Sequence, residues 1–189
     1  KQQSFSEQAW IKDISEQNER INQIVSYQLN RAVGGSAAPF NKAILVKPVC
    51  EKIVSALNKV YADKPMQLSI KIEEESSFRG DEGDLMELLG NLLDNAFKYG
   101  GQEINILAIG HSADLEFSVE DDGPGMSDSE KMQLVQRGER ADTALPGQGI
   151  GLAVVHDIVV SYGGKLLLEN SSLGGLKLSI SFNWKGLSS

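Results

Sequence analysis

Cysteine is almost absent: the 189 residues hold one, Cys50, so no disulfide can close within the chain and a reducing compartment suits it. A single cysteine of this kind reads as a small buried hydrophobe. Long apolar runs are missing too. No stretch approaches the roughly 18 residues of a membrane span, and no signal-peptide pattern opens the chain. Basic charge is scarce: 18 Lys and Arg stand against 26 Asp and Glu, a net charge of -8. That balance excludes a general nucleic-acid binder, which needs a basic face to displace phosphate counterions. Only two histidines occur, His111 and His156. Neither a G-x-x-x-x-G-K-[ST] loop nor a G-x-G-x-x-G dinucleotide turn is found. The expectation is a cytosolic protein, or the cytosolic piece of a larger one, with no direct membrane contact of its own.

Three regions are legible in what remains. Residues 1–33 contain no proline or glycine, and Ile11, Ile14, Ile21, Ile24, Val25 and Ala32 recur at helical spacings among Gln, Asn, Glu, Ser and Arg. One narrow apolar seam calls for a partner helix, as in a bundle or coiled coil. The alternative is a helix folded back on the main domain. Residues 34–39, Gly-Gly-Ser-Ala-Ala-Pro, read as a linker. From Phe40 to about residue 184 helices and strands interleave, and residues 185–189 form a tail. Strands are predicted over 43–47, 68–72, near Phe78, and over 104–109, 115–120, 165–169 and 176–182. A hairpin turn is expected at Gly110-His111-Ser112 and another around 171–175. Helices are predicted over 49–61, 81–99 and 149–162, with 123–147 irregular.

Three short patterns carry the chemistry. On the helix 81–99, Leu85, Leu88, Leu89, Leu92, Leu93, Ala96 and Phe97 share one half, while Glu87, Asn91, Asp94, Asn95 and Lys98 share an opposite arc. Mid-helix asparagine is less favourable than alanine by roughly half a kcal/mol, because its amide competes for backbone groups. Two of them one turn apart, beside Lys98 and Tyr99, suggest amides in use. An amide oxygen suits Mg²⁺ as a hard neutral ligand, and its NH₂ can donate to phosphate; a plain polar surface is the equal alternative. The strand ending at Glu120 runs into Asp121-Asp122-Gly123-Pro124-Gly125. A buried carboxylate there, a pure acceptor, could take a hydrogen bond from the exocyclic amine of adenine and repel the guanine carbonyl. Taken alone, this is an ordinary acidic turn. Finally, Gly147-Gln148-Gly149-Ile150-Gly151-Leu152 opens an apolar helix, where free peptide N–H groups could hold an anion; a plain glycine-rich helix start is the equal alternative.

In this order the three resemble the N, G1 and G2 boxes of the histidine-kinase ATPase superfamily, whose members include the Hsp90, gyrase and MutL ATPases. The resemblance covers residues 40–184 and is nearest the sensor histidine kinases of bacterial two-component systems. It implies an α+β fold, a two-layer α/β sandwich with a mixed sheet covered by helices on one face (the Bergerat ATP-binding fold). The implied cofactors are ATP and Mg²⁺. Asn91 and Gln148 would be the Mg²⁺ ligands, with Asn95 supporting metal or phosphates. Lys98 and Arg140 would meet phosphates, Tyr99 the nucleoside, and Asp121 adenine N6. Gly123, Gly125, Met126, Gly147, Gly149, Gly151 and Leu152 complete the nucleotide-binding set, and residues 126–146 correspond to a mobile lid. The lid departs from the family in lacking its usual phenylalanine, reading Met132-Gln133-Leu134-Val135-Gln136. It also carries Leu145 where a basic residue is expected.

The hydrolytic branches place a general-base glutamate four residues before the asparagine equivalent to Asn95. Here that position is Asn91, and an amide cannot take a proton from water. The resemblance therefore implies ATP held for phosphotransfer, with Glu87 either a proton acceptor or a surface residue. Sensor kinases phosphorylate a histidine in an H-[ED]-x-[KR]-T-P helix of a dimerisation bundle. Neither His111 nor His156 has such neighbours, so both read as structural. Residues 1–33 resemble the second bundle helix, and the acceptor helix would lie upstream. The implied partners are its own dimerisation helices, in a homodimer, and a response regulator; the implied location is the cytoplasmic face of the bacterial inner membrane. Competing readings are an anti-sigma-type serine kinase and a non-catalytic nucleotide-binding module.

Overall fold

Leu85, Leu88, Leu89, Leu92, Leu93, Ala96 and Phe97 all lie buried on one face of the helix Glu82–Tyr99 in the computed structural model of the chain. The structure describes residues 43–111, 113–131 and 150–184, the side chains of His111 and Ile150 excepted. The predicted helix 1–33, the linker 34–39, the lid beyond Lys131 and the tail 185–189 lie outside the described residues.

The order is β1 (Ala43–Leu45), α1 (Val46–Val60), β2 (Gln67–Ile72), β3 (Ser77–Arg79), α2 (Glu82–Tyr99), β4 (Glu103–His111), β5 (Asp114–Asp121), α3 (Ile150–Ser161), β6 (Lys165–Asn170) and β7 (Leu176–Asn183). β1 and β3 pair antiparallel as a small separate sheet. The main sheet runs β2-β4-β5-β7-β6, with β2 parallel to β4 and the other neighbours antiparallel. α2 packs between α1 and α3, and it also meets β5.

Side chains alternate across a strand, so each strand offers one row to the helices. Ile104, Ile106 and Ala108 on β4, Leu115, Phe117 and Val119 on β5, and Leu176, Leu178, Ile180 and Phe182 on β7 form that buried row. The intervening positions face outward: Leu107 is 39%, Ile109 41% and Leu167 54% exposed. This is the expected two-layer sandwich, with its helices on one face of a mixed sheet. Phe78 closes one end of the core, its ring 4.8 Å from that of Tyr162 and 5.3 Å from that of Phe182.

Three boundaries differ from the sequence expectation, each for a local reason. β1 ends at Leu45, and Val46 and Lys47 belong to α1. Pro48 thus falls in the first helical turn, where its missing N–H costs nothing, and the Val46 N–H donates outside the helix to the Ser76 carbonyl (2.9 Å). The predicted turn at Gly110 is strand instead: β4 continues to His111, which pairs with Asp114. A Cβ at Gly110 would come within 2.6 Å of the Asp114 carbonyl oxygen, so this glycine serves close strand approach rather than a turn. Within the stretch expected to be irregular, residues 128–131 are helical. A reciprocal cap starts them. The Ser127 N–H donates to Glu130 Oε2 (2.8 Å), and the Glu130 N–H donates to Ser127 Oγ (3.3 Å).

Candidate functional site

α2 is the spine of the site. Asp81 caps its start, accepting from the N–H groups of Gly83 (2.7 Å) and Asp84 (3.3 Å). The polar arc predicted along it is divided by its neighbours. Asp94 is exposed and accepts from the Tyr61 hydroxyl at 2.8 Å, on the α1 side. Glu87, Asn91 and Asn95 are half-buried. Burial, and then the charge of Asp84, push the Glu87 carboxyl above its usual range.

Asn91 has a defined orientation. Its Nδ2 donates to the Glu87 carbonyl oxygen at 2.8 Å, one turn back. That bond turns Oδ1 toward the start of α3, where a Cβ built on Gly151 would lie 2.7 Å from it. Among the described residues Oδ1 accepts no hydrogen bond. The N-box amide and the helix opened by the third glycine pattern are therefore neighbours. A half-buried neutral oxygen with its own NH₂ already engaged suits a hard cation such as Mg²⁺. Among the described residues no three His, Cys, Asp or Glu side chains cluster as a metal site. Gly151→Ala is expected to displace the Asn91 amide without unfolding the chain, because only a side-chain tip must move. Calorimetry should register a loss of Mg-dependent nucleotide affinity of about tenfold, the scale of one charge-assisted contact.

At the C-terminal end of α2 stands Asp121. It continues the inward row of Leu115, Phe117 and Val119, so a carboxylate occupies a core position and is 5% exposed. Its Oδ1 accepts from the N–H groups of Gly123 (2.8 Å) and Leu176 (3.3 Å), and its carbonyl accepts from Gly175 (3.1 Å). Among the described residues Oδ2 accepts no hydrogen bond. Burial raises the Asp121 carboxyl above its ordinary value, against the lowering effect of those two N–H donors. Glycine is required at 123 and 175: a Cβ on Gly123 would come within 2.9 Å of Asp121 Oδ1, and one on Gly175 within 2.5 Å of the Asp121 carbonyl oxygen. Asp122 turns the other way. Its Oδ1 accepts from the N–H groups of Gly101 (2.7 Å), Gln102 (2.9 Å) and Glu103 (3.0 Å), fastening the loop after α2.

Lys98 and Tyr99 are exposed at the end of α2, with the Lys98 ammonium 5.2 Å from the Tyr99 ring centre. Gly123, Gly125 and Met126 follow Asp121 on the same turn, Gly125 in the left-handed region (φ 68). Leu152 is buried in the core, which leaves only its backbone to face a ligand. Asn95 makes no side-chain hydrogen bond among the described residues. Arg140, Gly147, Gln148 and Gly149 lie outside the described residues, as do Met132–Gln136 and Leu145. His156 Nδ1 is buried without a hydrogen-bond partner among the described residues. The sequence reading missed Lys64, whose ammonium donates to the carbonyls at the end of α2, and the Gly175-Leu176 N–H pair at Asp121.

A mixed sheet backed by helices, with a core-facing carboxylate at one end of the central helix and an amide at its middle against a glycine-bearing helix start, defines an ATP-binding α+β domain. The chain belongs to the histidine kinase-, DNA gyrase B- and HSP90-like ATPase family, whose model matches residues 80–185. It is similar to the virulence sensor histidine kinase PhoQ of Salmonella typhimurium, 41% identical over 169 residues, which are 88% of this chain and 35% of PhoQ. The sensor protein PhoQ of Escherichia coli is likewise 41% identical, over 168 residues, again 88% and 35%. The chain thus spans about a third of the length of these curated relatives. Among solved structures, the Acinetobacter baumannii histidine kinase AdeS superposes with a TM-score of 0.70 at 20% identity, over 93% of this chain and 84% of that one. Full-length ShkA in complex with AMPPNP gives a TM-score of 0.65 at 20% identity, over 93% and 38%. These two likenesses speak for the fold. Among the described residues no helix is long and apolar enough to cross a membrane.

Proposed function

We propose that this chain is the Mg-ATP-binding catalytic part of a sensor histidine kinase, which passes the γ-phosphoryl group of ATP to a histidine outside the chain. The observation that carries this reading is the arrangement along α2. Asn91 Oδ1 abuts Gly151 at the start of α3, and the core-facing carboxylate of Asp121 stands at the C-terminal end of α2. Asp121 Oδ2 accepts from adenine N6. Asn91 Oδ1, with Gln148 and support from Asn95, would hold Mg²⁺. When bound, the metal neutralises charge on the phosphate oxygens, the main requirement of phosphoryl transfer. Lys98, Arg140 and the peptide N–H groups of 147–151 meet the phosphates, Tyr99 meets the nucleoside, and residues 126–146 act as a lid. Glu87, whose carboxyl burial makes more basic, is the candidate proton acceptor.

The amide at position 91 cannot take a proton from an attacking water as the glutamate of the hydrolytic branches does, so the phosphoryl group is kept for a histidine nitrogen. That nitrogen bonds to the γ-phosphorus as the bond to the bridging oxygen breaks, leaving ADP. Residues 1–33 supply the second helix of a dimerisation bundle, 34–39 a linker, 40–184 the catalytic domain and 185–189 a tail. The whole protein is a membrane-anchored homodimer with this domain on the cytoplasmic side, and it relays the phosphoryl group to a response-regulator aspartate.

Calorimetry with ATP, with and without Mg²⁺, tests the core of the reading: binding strengthened by the metal is expected, and no binding overturns it. Incubation with γ-labelled ATP is expected to leave the chain unlabelled, since neither His111 nor His156 has an acceptor's neighbours. Label stable in base and labile in acid would place the acceptor inside the chain instead.

A further inference from the structure

Lys64, half-buried in the loop between α1 and β2, donates from its ammonium to three carbonyl oxygens: Phe97 at 2.9 Å, Lys98 at 3.2 Å and Gly100 at 2.5 Å. Helix carbonyls in the last turn have no partner within the helix, and the helix dipole makes that end negative. A cation with three donors fits it well. The same turn also lies against the Asp121-Gly123 turn. A Cβ on Gly100 would lie 3.2 Å from Asp121 Cβ, and one on Gly123 would come within 3.0 Å of the Tyr99 carbonyl carbon. The end of α2 is therefore clasped between Lys64 and the Asp121-Gly123 turn.

We propose that Lys64 is a positioning residue for purine recognition: by tying down the last turn of α2 it fixes Tyr99 and the Asp121 carboxylate relative to each other. The proposal rests on the nucleotide reading given above. Charge adds to geometry. The groups facing the Asp121 carboxyl are the Gly123 and Leu176 N–H donors and Lys64, which favour its ionised form, and Asp122, which opposes it along with burial. The ionised form accepts at both oxygens, whereas protonation turns one of them into a donor. Lys64 thus helps to keep the acceptor an acceptor as the pH falls.

The test compares wild type with Lys64→Met, which removes donors and charge, and Lys64→Arg, which keeps both. Lys64→Gln, retaining donors without charge, serves if the methionine variant does not fold. ATP affinity is measured by calorimetry from about pH 3 to about pH 8, a span that starts below the ordinary carboxylate value and so includes any raised one. Loss of the cation is expected to weaken ATP binding about tenfold at neutral pH and to move the midpoint of its acid loss upward. Arginine should restore most of both. A folded Lys64→Met with unchanged affinity and midpoint overturns the proposal. So does a variant that only melts earlier, since Lys64 is then a helix cap and nothing more. If wild type itself binds no ATP, the nucleotide reading falls. A carbon-13 titration of the Asp121 carboxyl in both proteins then decides the role of Lys64, and coincident curves reject it.

Discussion

Asp121→Asn is expected to lower ATP affinity at least about a hundredfold while leaving the melting temperature at neutral pH unchanged or higher. Asparagine keeps an Oδ1 that can accept from Gly123 and Leu176 as the aspartate does. It removes a charge whose burial is costly. What changes is Oδ2, an acceptor that becomes an NH₂ facing the adenine amine, donor against donor. The sign of the pH effect follows from the upward shift of the Asp121 carboxyl. A carboxyl raised by folding favours the native state when protonated and costs stability once ionised. The advantage of the asparagine variant should thus be full above the raised value. It should close as the pH falls through that value and below the ordinary carboxylate range. Scanning calorimetry at neutral and acidic pH, alongside ATP titration, checks both halves. A purine triphosphate with a carbonyl at C6 should recover part of the lost affinity in the variant. A variant that binds ATP normally would remove Asp121 from the site.

Asn91→Ala is expected to abolish the contribution of Mg²⁺ to ATP binding, a loss of about a hundredfold, and to leave metal-free binding nearly as it was. The only hydrogen bond its side chain makes among the described residues is to the Glu87 carbonyl, within the same helix. Alanine is the better helix former by roughly half a kcal/mol, so the fold should gain slightly rather than lose. Affinity measured with Mg²⁺ and with chelator separates the outcomes. An equal loss in both would mean that Asn91 contacts the nucleotide and not the metal.

Much of this fold is written in periodicities. The heptad-like leucines of α2 and the alternation of β4, β5 and β7 locate helix and strands to within a residue or two. Part of the site was equally open to reading. Leu115, Phe117 and Val119 fix the inward parity of β5, and Asp121 falls on it, so a charge in the core row could have been flagged from alternation alone. The Ser127-Glu130 cap was also visible as a serine followed three residues later by a glutamate. Other parts were not. The Leu176 N–H reaches Asp121 because β7 lies beside β5, and Lys64 reaches Gly100 because of the loop after α1. Such neighbours follow from strand order and chain path, which carry no period.

The partners of Asp121 have a consequence for biogenesis. Gly175 and Leu176 arrive only when the final hairpin has formed, long after α2 and β5 have left the ribosome. A nascent chain that ends short of them holds the proposed adenine acceptor with one of the two N–H donors to its Oδ1 missing. If Asp121 reads adenine as proposed, nucleotide binds best once this hairpin is in place, and by mass action it draws late intermediates toward that state.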